Sequence, residues 1–219
     1  MFRKKQSEKM PTRKVWDHVI DIKEGFVPRK GKVYPLSREE REEMREFTKE
    51  QLRKEYIWLL KSLQMVLVFF VGKKDGKKRI VQDYRYLNEW TIKNNYPLPL
   101  ISDVLENIGM KKLFTKIDLR WEYNNVRIKE RDEWKVAFTM PEGLFEPTVM
   151  FFGLTNSSAT FQAMISKFLR NLINTGKVAV FIDNIIVGTE TEEGHDELVV
   201  EVVKRLEEND LYVKPKKCK

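Results

Sequence analysis

Hydrophobic residues recur with two different periods along the chain, one typical of helices and one typical of strands. Helical spacing, with a capping box that opens at Ser37, predicts helices at about 38–62, 101–109, 157–174 and 193–208. Apolar or alternating runs predict strands at about 65–71, 78–82, 113–117, 126–128, 134–140, 178–182, 185–187 and 211–214. Because paired strands alternate irregularly with helices, the order predicts an α+β fold, an antiparallel sheet with helices on one face.

Two segments are notable for their basic side chains. Residues 1–36 are polar, rich in Lys and Arg and interrupted by three prolines, so they predict an extended basic arm. Lys73-Lys74-Asp75-Gly76 separates two strand-like runs, and an Asp-Gly pair in that setting predicts a hairpin with a cationic tip. Lysines at a hairpin tip are more often solvated surface than a binding site, so the tip alone does not identify a function.

Composition narrows the classes of function. The chain has 219 residues and a formal net charge of +8, which favours a polyanion such as nucleic acid as partner, about as strongly as it favours a merely basic surface. Cys218 is the single cysteine and there are two histidines, so a disulfide framework and a Cys/His zinc site are both excluded. We expect an intracellular protein, cytoplasmic or nuclear and not secreted, that spans no membrane, because no apolar run approaches about 20 residues.

Two aspartates stand at the ends of predicted strands, Asp118 and Asp183, and 183 − 118 = 65 residues separate them. Either aspartate alone is most simply a turn or cap residue, and Asp183-Asn184 between two apolar runs is typical of a hairpin turn. The motifs around them change that interpretation. They are Asp83-Tyr84-Arg85-Tyr86-Leu87-Asn88, Tyr96-Pro97-Leu98-Pro99, Phe114-Thr115-Lys116-Ile117-Asp118, Phe152-Gly153-Leu154-Thr155-Asn156, Ala159-Thr160-Phe161-Gln162 and Phe181-Ile182-Asp183.

In this order, over about residues 65–218, these motifs resemble the reverse transcriptase, or RNA-directed DNA polymerase, of gypsy-type long-terminal-repeat retrotransposons. The resemblance implies the fingers and palm of a right-hand polymerase, with the thumb and ribonuclease H absent from the chain. The expected domains are the basic arm at 1–36, fingers at 37–99 with a helix and the basic hairpin, and a palm with interleaved fingers elements at 100–219. The oligomeric state stays open.

The resemblance also implies the site. Two magnesium ions, or manganese in their place, would be held by Asp118 and Asp183, activating a primer 3′-hydroxyl and stabilising the leaving pyrophosphate. The expected partners are an RNA or DNA template, a primer strand and dNTPs. The nucleotide-binding residues carried over by the resemblance are Lys73, Arg79, Tyr123, Phe152 and Gly153. From the residues alone, Tyr123 could equally be a core tyrosine, and Phe152-Gly153 could equally be packing before a helix.

This sequence departs from the family pattern at several positions. Asn184 stands where the family has its third catalytic carboxylate, a loss that predicts a rate lower by on the order of 10²–10³. Glu122 replaces a glycine, Ser158 replaces a proline, and residues 58–67 are leucine-rich where the family has prolines. Single C-to-T or G-to-A transitions account for several of these changes, which favours the hypothesis of a truncated, partly degenerate copy. Three functions stay open: an impaired polymerase, a catalytically inactive nucleic-acid-binding remnant, and a fragment with no selected function.

Overall fold

A computed structural model of the chain describes residues 8–31, 34–72 and 78–218, apart from the side chains of Leu105, Asn107, Glu122 and Lys217. The described residues form two compact units. Unit A contains those of 1–9, 94–125 and 158–219, and unit B contains 10–93 and 126–157 without the undescribed positions. Both units are therefore built from segments that are distant in sequence.

Helices and antiparallel strands make up both units. The helices are α1 (Arg38–Arg53), α2 (Arg85–Trp90), α3 (Ile101–Gly109), α4 (Ser157–Ile173) and α5 (His195–Glu208). The strands are β1 (Ile57–Leu59), β2 (Val68–Gly72), β3 (Lys78–Gln82), β4 (Leu113–Asp118), β5 (Phe138–Met140), β6 (Gly143–Pro147), β7 (Val178–Phe181) and β8 (Asn184–Thr189). Short 3₁₀ turns occur at Glu122–Asn125, Glu133–Val136 and Pro215–Lys217. The α+β class is confirmed.

Unit A is organised around an antiparallel sheet with the strand order β4-β8-β7. Its central strand buries Ile185 and Val187 completely, and because alternate residues of a strand share a face, both cover the same side of the sheet. Helix α3 packs against β7 and α5 against β8. The apolar face predicted for the helix at 157–174 is confirmed, since Phe161, Ile165 and Leu169 are fully buried on α4.

Unit B contains a three-stranded sheet, β1-β6-β5, and the separate two-stranded hairpin β2-β3. The extended segment 10–31 is packed into this unit. It makes bridges from His18 to Ile128 and from Ile22 to Thr91, and Ile20 is buried. The predicted basic arm thus contributes two buried residues, His18 and Ile20, to the core of unit B. The domain boundaries predicted after residues 36 and 99 stay predictions.

The predicted helix at 38–62 is wrong beyond residue 53. Helix α1 begins with the predicted capping box, in which the Ser37 hydroxyl accepts from the Glu40 amide, but it ends at Arg53. Glu55 adopts a positive φ of 61°, which reverses the chain, and the Tyr56 amide donates back to the Gln51 carbonyl. Ile57 is then fully buried and pairs with Pro147, so edge-strand pairing and burial prevail over the helical glutamate-rich pattern.

Three predicted strands are also corrected. Residues 126–128 and 211–214 make isolated bridges without extended ladders. Residues 134–136 lie in a 3₁₀ turn, because the Asp132 carbonyl accepts from the Lys135 amide and its carboxylate accepts from the Ile20 amide. The strand begins at Phe138 and pairs with β6, which the pattern did not predict. Across the described residues, no helix is both long and apolar enough for a bilayer span.

Candidate active site

Asp118 is the last residue of β4, and its partner in the antiparallel ladder is Asn184, the first residue of β8. Residues opposite each other in such a ladder have Cα atoms roughly 4.5–5.5 Å apart. Asp118 is 5% exposed, so its carboxylate lies at the partly covered end of the sheet. The structure thus brings Asp118 and the Asp183-Asn184 pair together across 65 intervening positions, while their catalytic roles stay predictions.

The turn that carries Asp183 is as short as a hairpin allows. Phe181 pairs with Asn184, which leaves Ile182 and Asp183 as a two-residue loop. Ile182 has a φ of 56°, and of the two loop residues it alone has a positive φ, the pattern of a type II′ turn. Glycine normally occupies that position, because a β-branched side chain at positive φ is a conformational outlier. The candidate site therefore contains a strained residue beside Asp183.

Gln162 of α4 holds this turn and was not among the predicted site residues. Its Oε1 accepts from the Ile182 amide at 2.7 Å, and its Nε2 donates to the Val180 carbonyl at 3.2 Å. The residue is 2% exposed. In the sequence, Gln162 ends one of the motifs quoted for the resemblance and lies at the border of the apolar stripe of a predicted helix, and neither position reveals its partner.

Charges around the two aspartates are unevenly distributed. The Asn184 amide donates from Nδ2 to Asp183 Oδ1 at 2.9 Å, and Lys214 Nζ lies 3.7 Å from Asp118 Oδ1. In the part of the chain that the structure describes, no three residues among His, Cys, Asp and Glu are grouped so that they could hold a metal ion. Asn184 thus contributes no charge, and its NH₂ group is bonded to one of the two oxygens of the Asp183 carboxylate.

The residues present fit a divalent ion at two carboxylates. Asp118 and Asp183 supply oxygen ligands, which Mg²⁺ prefers, and each carries a full negative charge. Asn184 can add an amide oxygen only if its side chain turns away from Asp183, and the Lys214 ammonium reduces the negative potential at Asp118. The site therefore fits metal, with less charge to hold it than three carboxylates would provide.

Tyr123 lies in unit A, in the 3₁₀ turn Glu122–Asn125, and is half-buried. Its hydroxyl is 2.8 Å from the Ser158 hydroxyl, and its ring meets the Phe161 ring edge-on with centroids 6.0 Å apart. Ser158 therefore fixes the phenol end of the ring, a contact that sequence reasoning did not foresee. The side chain of Glu122, which stands where the family has a glycine, lies outside the described residues.

The remaining predicted nucleotide-binding residues belong to unit B. The Arg79 guanidinium, on β3, lies 5.3 Å from the centroid of the Phe152 ring, within the range of a cation–π interaction. Phe152 is 39% exposed, so the pair is accessible to a ligand. Lys73 lies outside the described residues. The structure thus associates Arg79 with Phe152, two residues that the resemblance alone had linked.

Gly153 follows Phe152 in a loop whose backbone forms hydrogen bonds with both polar atoms of the Asn88 side chain. Asn88 donates from Nδ2 to the Gly153 carbonyl at 2.7 Å, and its Oδ1 accepts from the Thr155 amide at 2.7 Å. Gly153 has a φ of 95°, a conformation that glycine adopts at no steric cost. Asn88 lies in one of the motifs quoted for the resemblance, but no role had been predicted for it.

Comparison with curated proteins shows relatives among mobile elements. The chain is 35% identical over 185 residues to the Transposon Tf2-7 polyprotein of Schizosaccharomyces pombe, a match that covers 84% of this chain and 14% of the polyprotein. It is 34% identical over the same length to the Tf2-3 polyprotein of that yeast. The chain therefore spans about one seventh of the length of the curated relatives it matches.

Solved structures give the same result for the fold. The chain is similar to the foamy viral protease-reverse transcriptase in complex with an RNA/DNA hybrid, with a TM-score of 0.85 and 25% identity over 96% of this chain and 28% of the viral one. The same viral protein in complex with dsDNA gives a TM-score of 0.83 at 26% identity, covering 96% and 43%. Residues 71–219 match the family model "Reverse transcriptase (RNA-dependent DNA polymerase)". The chain belongs to the reverse transcriptase family.

Proposed function

We propose that this chain is the polymerase domain of a gypsy-type retrotransposon polyprotein, which adds dNTPs to a primer 3′-hydroxyl under the direction of an RNA or DNA template. The observation that carries the proposal is the pairing of Asp118 with Asn184, because it places the end of β4 beside the turn that bears Asp183. The transposon relatives support the gypsy-type origin. Such a domain would act inside the cell, in the cytoplasm or nucleus.

Each residue would have a defined part in that reaction. Asp118 and Asp183 would hold Mg²⁺, or Mn²⁺ in its place, and the bound ions would supply Lewis-acid activation of the primer hydroxyl and charge stabilisation of the leaving group. Arg79 would place its positive charge against the triphosphate, and Phe152 would orient the guanidinium through the contact between them. Tyr123, fixed at its hydroxyl by Ser158, would present its ring to the sugar.

Asn184 should lower the activity for two reasons. The site lacks one negative charge, and the amide donates to the carboxylate oxygen of Asp183. Together these effects predict a rate reduced by on the order of 10²–10³ relative to a site with a third carboxylate. The net charge of +8 would still support salt-sensitive binding to nucleic acid.

Primer extension on an RNA template tests the proposal. The protein and its Asn184→Asp variant would be compared with Mg²⁺ and with Mn²⁺, and Asn184→Asp combined with Asp183→Asn would serve as the inactive control. We expect Asn184→Asp to extend the primer about 10²–10³ times faster than the unaltered chain. Equal rates for both proteins would show that Asn184 does not limit the reaction.

A second candidate function is nucleic-acid binding without catalysis. The hydrogen bond from Asn184 to Asp183 favours it, because that contact occupies a ligand oxygen in the absence of metal. Binding of an RNA/DNA hybrid by both proteins, with extension by neither, would support this function over the polymerase. Failure of both proteins to bind or extend would refute both functions.

A further inference from the structure

Ile182 is held in a conformation that its side chain disfavours. Its φ of 56° lies in the left-handed region, which glycine enters freely and β-branched residues seldom do. Such strain persists where the surrounding structure enforces it, and it is often found at functional sites. The residue stands immediately before Asp183, so the question is what enforces the conformation.

The Gln162 side chain is the contact that can do so. Its Oε1 accepts from the Ile182 amide at 2.7 Å, while its Nε2 donates to the Val180 carbonyl at 3.2 Å and to the Ser166 hydroxyl at 3.1 Å. All of these groups lie in unit A. A buried amide whose two ends are both bonded is fixed in orientation, since rotating it would leave buried polar groups unsatisfied.

A second contact constrains the other side of the turn. The Leu119 amide, one residue after Asp118, donates to the Asp183 carbonyl at 3.2 Å. On the N-terminal side of Asp183, the Ile182 amide is thus bonded to Gln162. On its C-terminal side, the Asp183 carbonyl is bonded to the amide of Leu119, the residue after Asp118. Backbone fixed on both sides determines where the Asp183 carboxylate points.

We propose that Gln162 is a positioning residue, which holds Ile182 in the left-handed conformation and thereby sets the Asp183 carboxylate relative to Asp118. The proposal deepens the function proposed above and rests on it for the identity of the metal. Gln162 does not touch the reacting atoms. It acts through the backbone of the turn, and the strain at Ile182 is the feature that makes its contribution separable from ordinary packing.

A simpler role for Gln162 is that of a core residue with satisfied hydrogen bonds. The two roles differ in their dependence on Ile182. If Gln162 holds the turn against strain, a glycine at 182 removes the need for it, because glycine prefers the first position of a type II′ turn. If Gln162 only fills the core, the same glycine leaves the effect of losing Gln162 unchanged.

The experiment uses the full chain with Gln162→Met, which keeps the size of the side chain and removes both polar ends. Gln162→Met is combined with Ile182→Gly to test for rescue. Ser166→Ala is the matched control, since it removes one contact of Nε2 and leaves the bond from the Ile182 amide to Oε1. Hydrogen exchange of the Ile182 amide and Mn²⁺ affinity by electron paramagnetic resonance are measured, with circular dichroism to check folding.

We expect exchange of the Ile182 amide to accelerate and Mn²⁺ affinity to fall about 10-fold or more in Gln162→Met, the size of effect typical of groups that orient metal ligands. Ser166→Ala should change neither. In Gln162→Met with Ile182→Gly, the Mn²⁺ affinity should return to within about 3-fold of that of Ile182→Gly alone, because the turn then no longer needs the amide. In an Asn184→Asp background, Gln162→Met should lower kcat for primer extension more than it raises KM.

Several results would overturn the inference. Unchanged amide exchange in Gln162→Met, or an equal loss of Mn²⁺ affinity with isoleucine and with glycine at 182, would assign Gln162 to packing alone. A Gln162→Met protein that fails to fold would support the inference if Ile182→Gly restores folding and would refute it otherwise. Failure of the proposed function is distinguishable, because the unaltered chain would then bind no Mn²⁺ while the exchange measurement would still report on Gln162.

Discussion

Two of the described hairpins, β7–β8 in unit A and β2–β3 in unit B, share a topology and differ in where they are anchored. The β7–β8 hairpin is bonded to β4 along β8, and Gln162 holds its tip. The β2–β3 hairpin has no third strand in the described residues, and its exposure increases from Val68 and Gln82 toward the tip. A hairpin anchored at its tip fixes the groups it carries, whereas one anchored at its base presents them on a surface that can adjust.

The chemistry expected of each hairpin agrees with this difference. Carboxylates that hold metal ions require a fixed geometry, and Asp183 lies on the fixed tip. A cation that meets a triphosphate can follow its ligand, and Arg79 lies on the exposed hairpin with an aromatic neighbour, Phe152. Near the tip of the β2–β3 hairpin, the contacts are made by solvent-accessible side chains. Lys78 Nζ lies 2.9 Å from Glu40 Oε1 and 5.5 Å from the centroid of the Phe70 ring.

The largest effect should come from truncating the buried hairpin. Ile185, in β8, is 0% exposed, so Ile185→Ala should lower the free energy of unfolding by about 2–5 kcal/mol through lost burial and a residual cavity. Val71, in β2, is 42% exposed, and Val71→Ala should change the free energy by no more than about 0.5 kcal/mol. Urea denaturation measures both. Equal destabilisation would show that the two hairpins are anchored alike.

Lowering the pH should destabilise unit B through its buried residue His18. Burial lowers the pKa of His18 from 6.5 to about 4, with the charge of Asp132 partly opposing the shift. Between pH 6.5 and 4, the His18 imidazole is therefore mostly protonated in the unfolded chain and mostly neutral in the folded chain. The free energy of unfolding should therefore fall by up to about 3 kcal/mol as the pH falls through this window. Above pH 6.5 the His18 contribution to stability is fully present.

Urea midpoints measured from pH 7 to pH 4 test the His18 effect. The control is His18→Gln, which is polar and does not titrate, and it should show a shallower dependence by as much as one proton. Carboxylates that titrate in the same range are common to both proteins and cancel in the comparison. Parallel pH profiles would contradict a depressed His18 pKa.

A smaller effect is expected at the start of α1. Ser37 accepts from the Glu40 amide, and loss of this cap in Ser37→Ala should cost about 1 kcal/mol of unfolding free energy. Because Glu40 also contacts Lys78, the loss should loosen the β2–β3 hairpin as well. Hydrogen exchange of the β3 amides measures this second consequence. Unchanged β3 exchange would show that the hairpin does not depend on the helix cap.

The smallest effect is expected for Glu40→Gln. Glutamine retains the reach of a capping-box partner, so α1 should remain intact, while the ionic contact with Lys78 is lost. The hydrogen bond to Glu40 raises the pKa of Lys78, and the contact is exposed, so salt should screen it. In the unaltered chain, hydrogen exchange of the β3 amides should therefore be faster at high salt than at low salt. In Glu40→Gln, it should already be close to the high-salt rate at low salt. Persistence of the salt dependence in the variant would exclude the Lys78 contact as its cause.

Local sequence patterns predicted most of the elements but not the contacts that join them. The runs around 178–187 predicted β7 and β8 because apolar residues flank a short polar pair. Only the resemblance implied that Asp118 and Asp183 share a site, since nothing local links residues 65 positions apart, and the pairing of β4 with β8 was not predicted. Strand β6 was missed because its stability depends on having β1 and β5 as neighbours. Helix α1 was extended too far because the burial of Ile57 is a tertiary effect.

For the candidate site, the sequence likewise predicted the positions of the charged residues but not the hydrogen bonds that hold them. The positions of Asp118, Asp183 and Asn184 at strand ends followed from the pattern, and the structure brings them together. The amides that hold the loops, Gln162 and Asn88, each act through specific hydrogen bonds to backbone groups of another segment. Composition and periodicity carry no information about such bonds. The Ser158 contact with Tyr123 escaped prediction for the same reason.

The ladder between Asp118 and Asn184 also orders events during synthesis of the chain. Translation at about 5–20 residues per second needs roughly 3–13 seconds to advance the 184 − 118 = 66 positions between these partners. Unit B is complete in sequence at residue 157, before β7 and β8 have been made. The candidate site is therefore complete only after β8 has left the ribosome, and until then Asp118 terminates a strand without its neighbour.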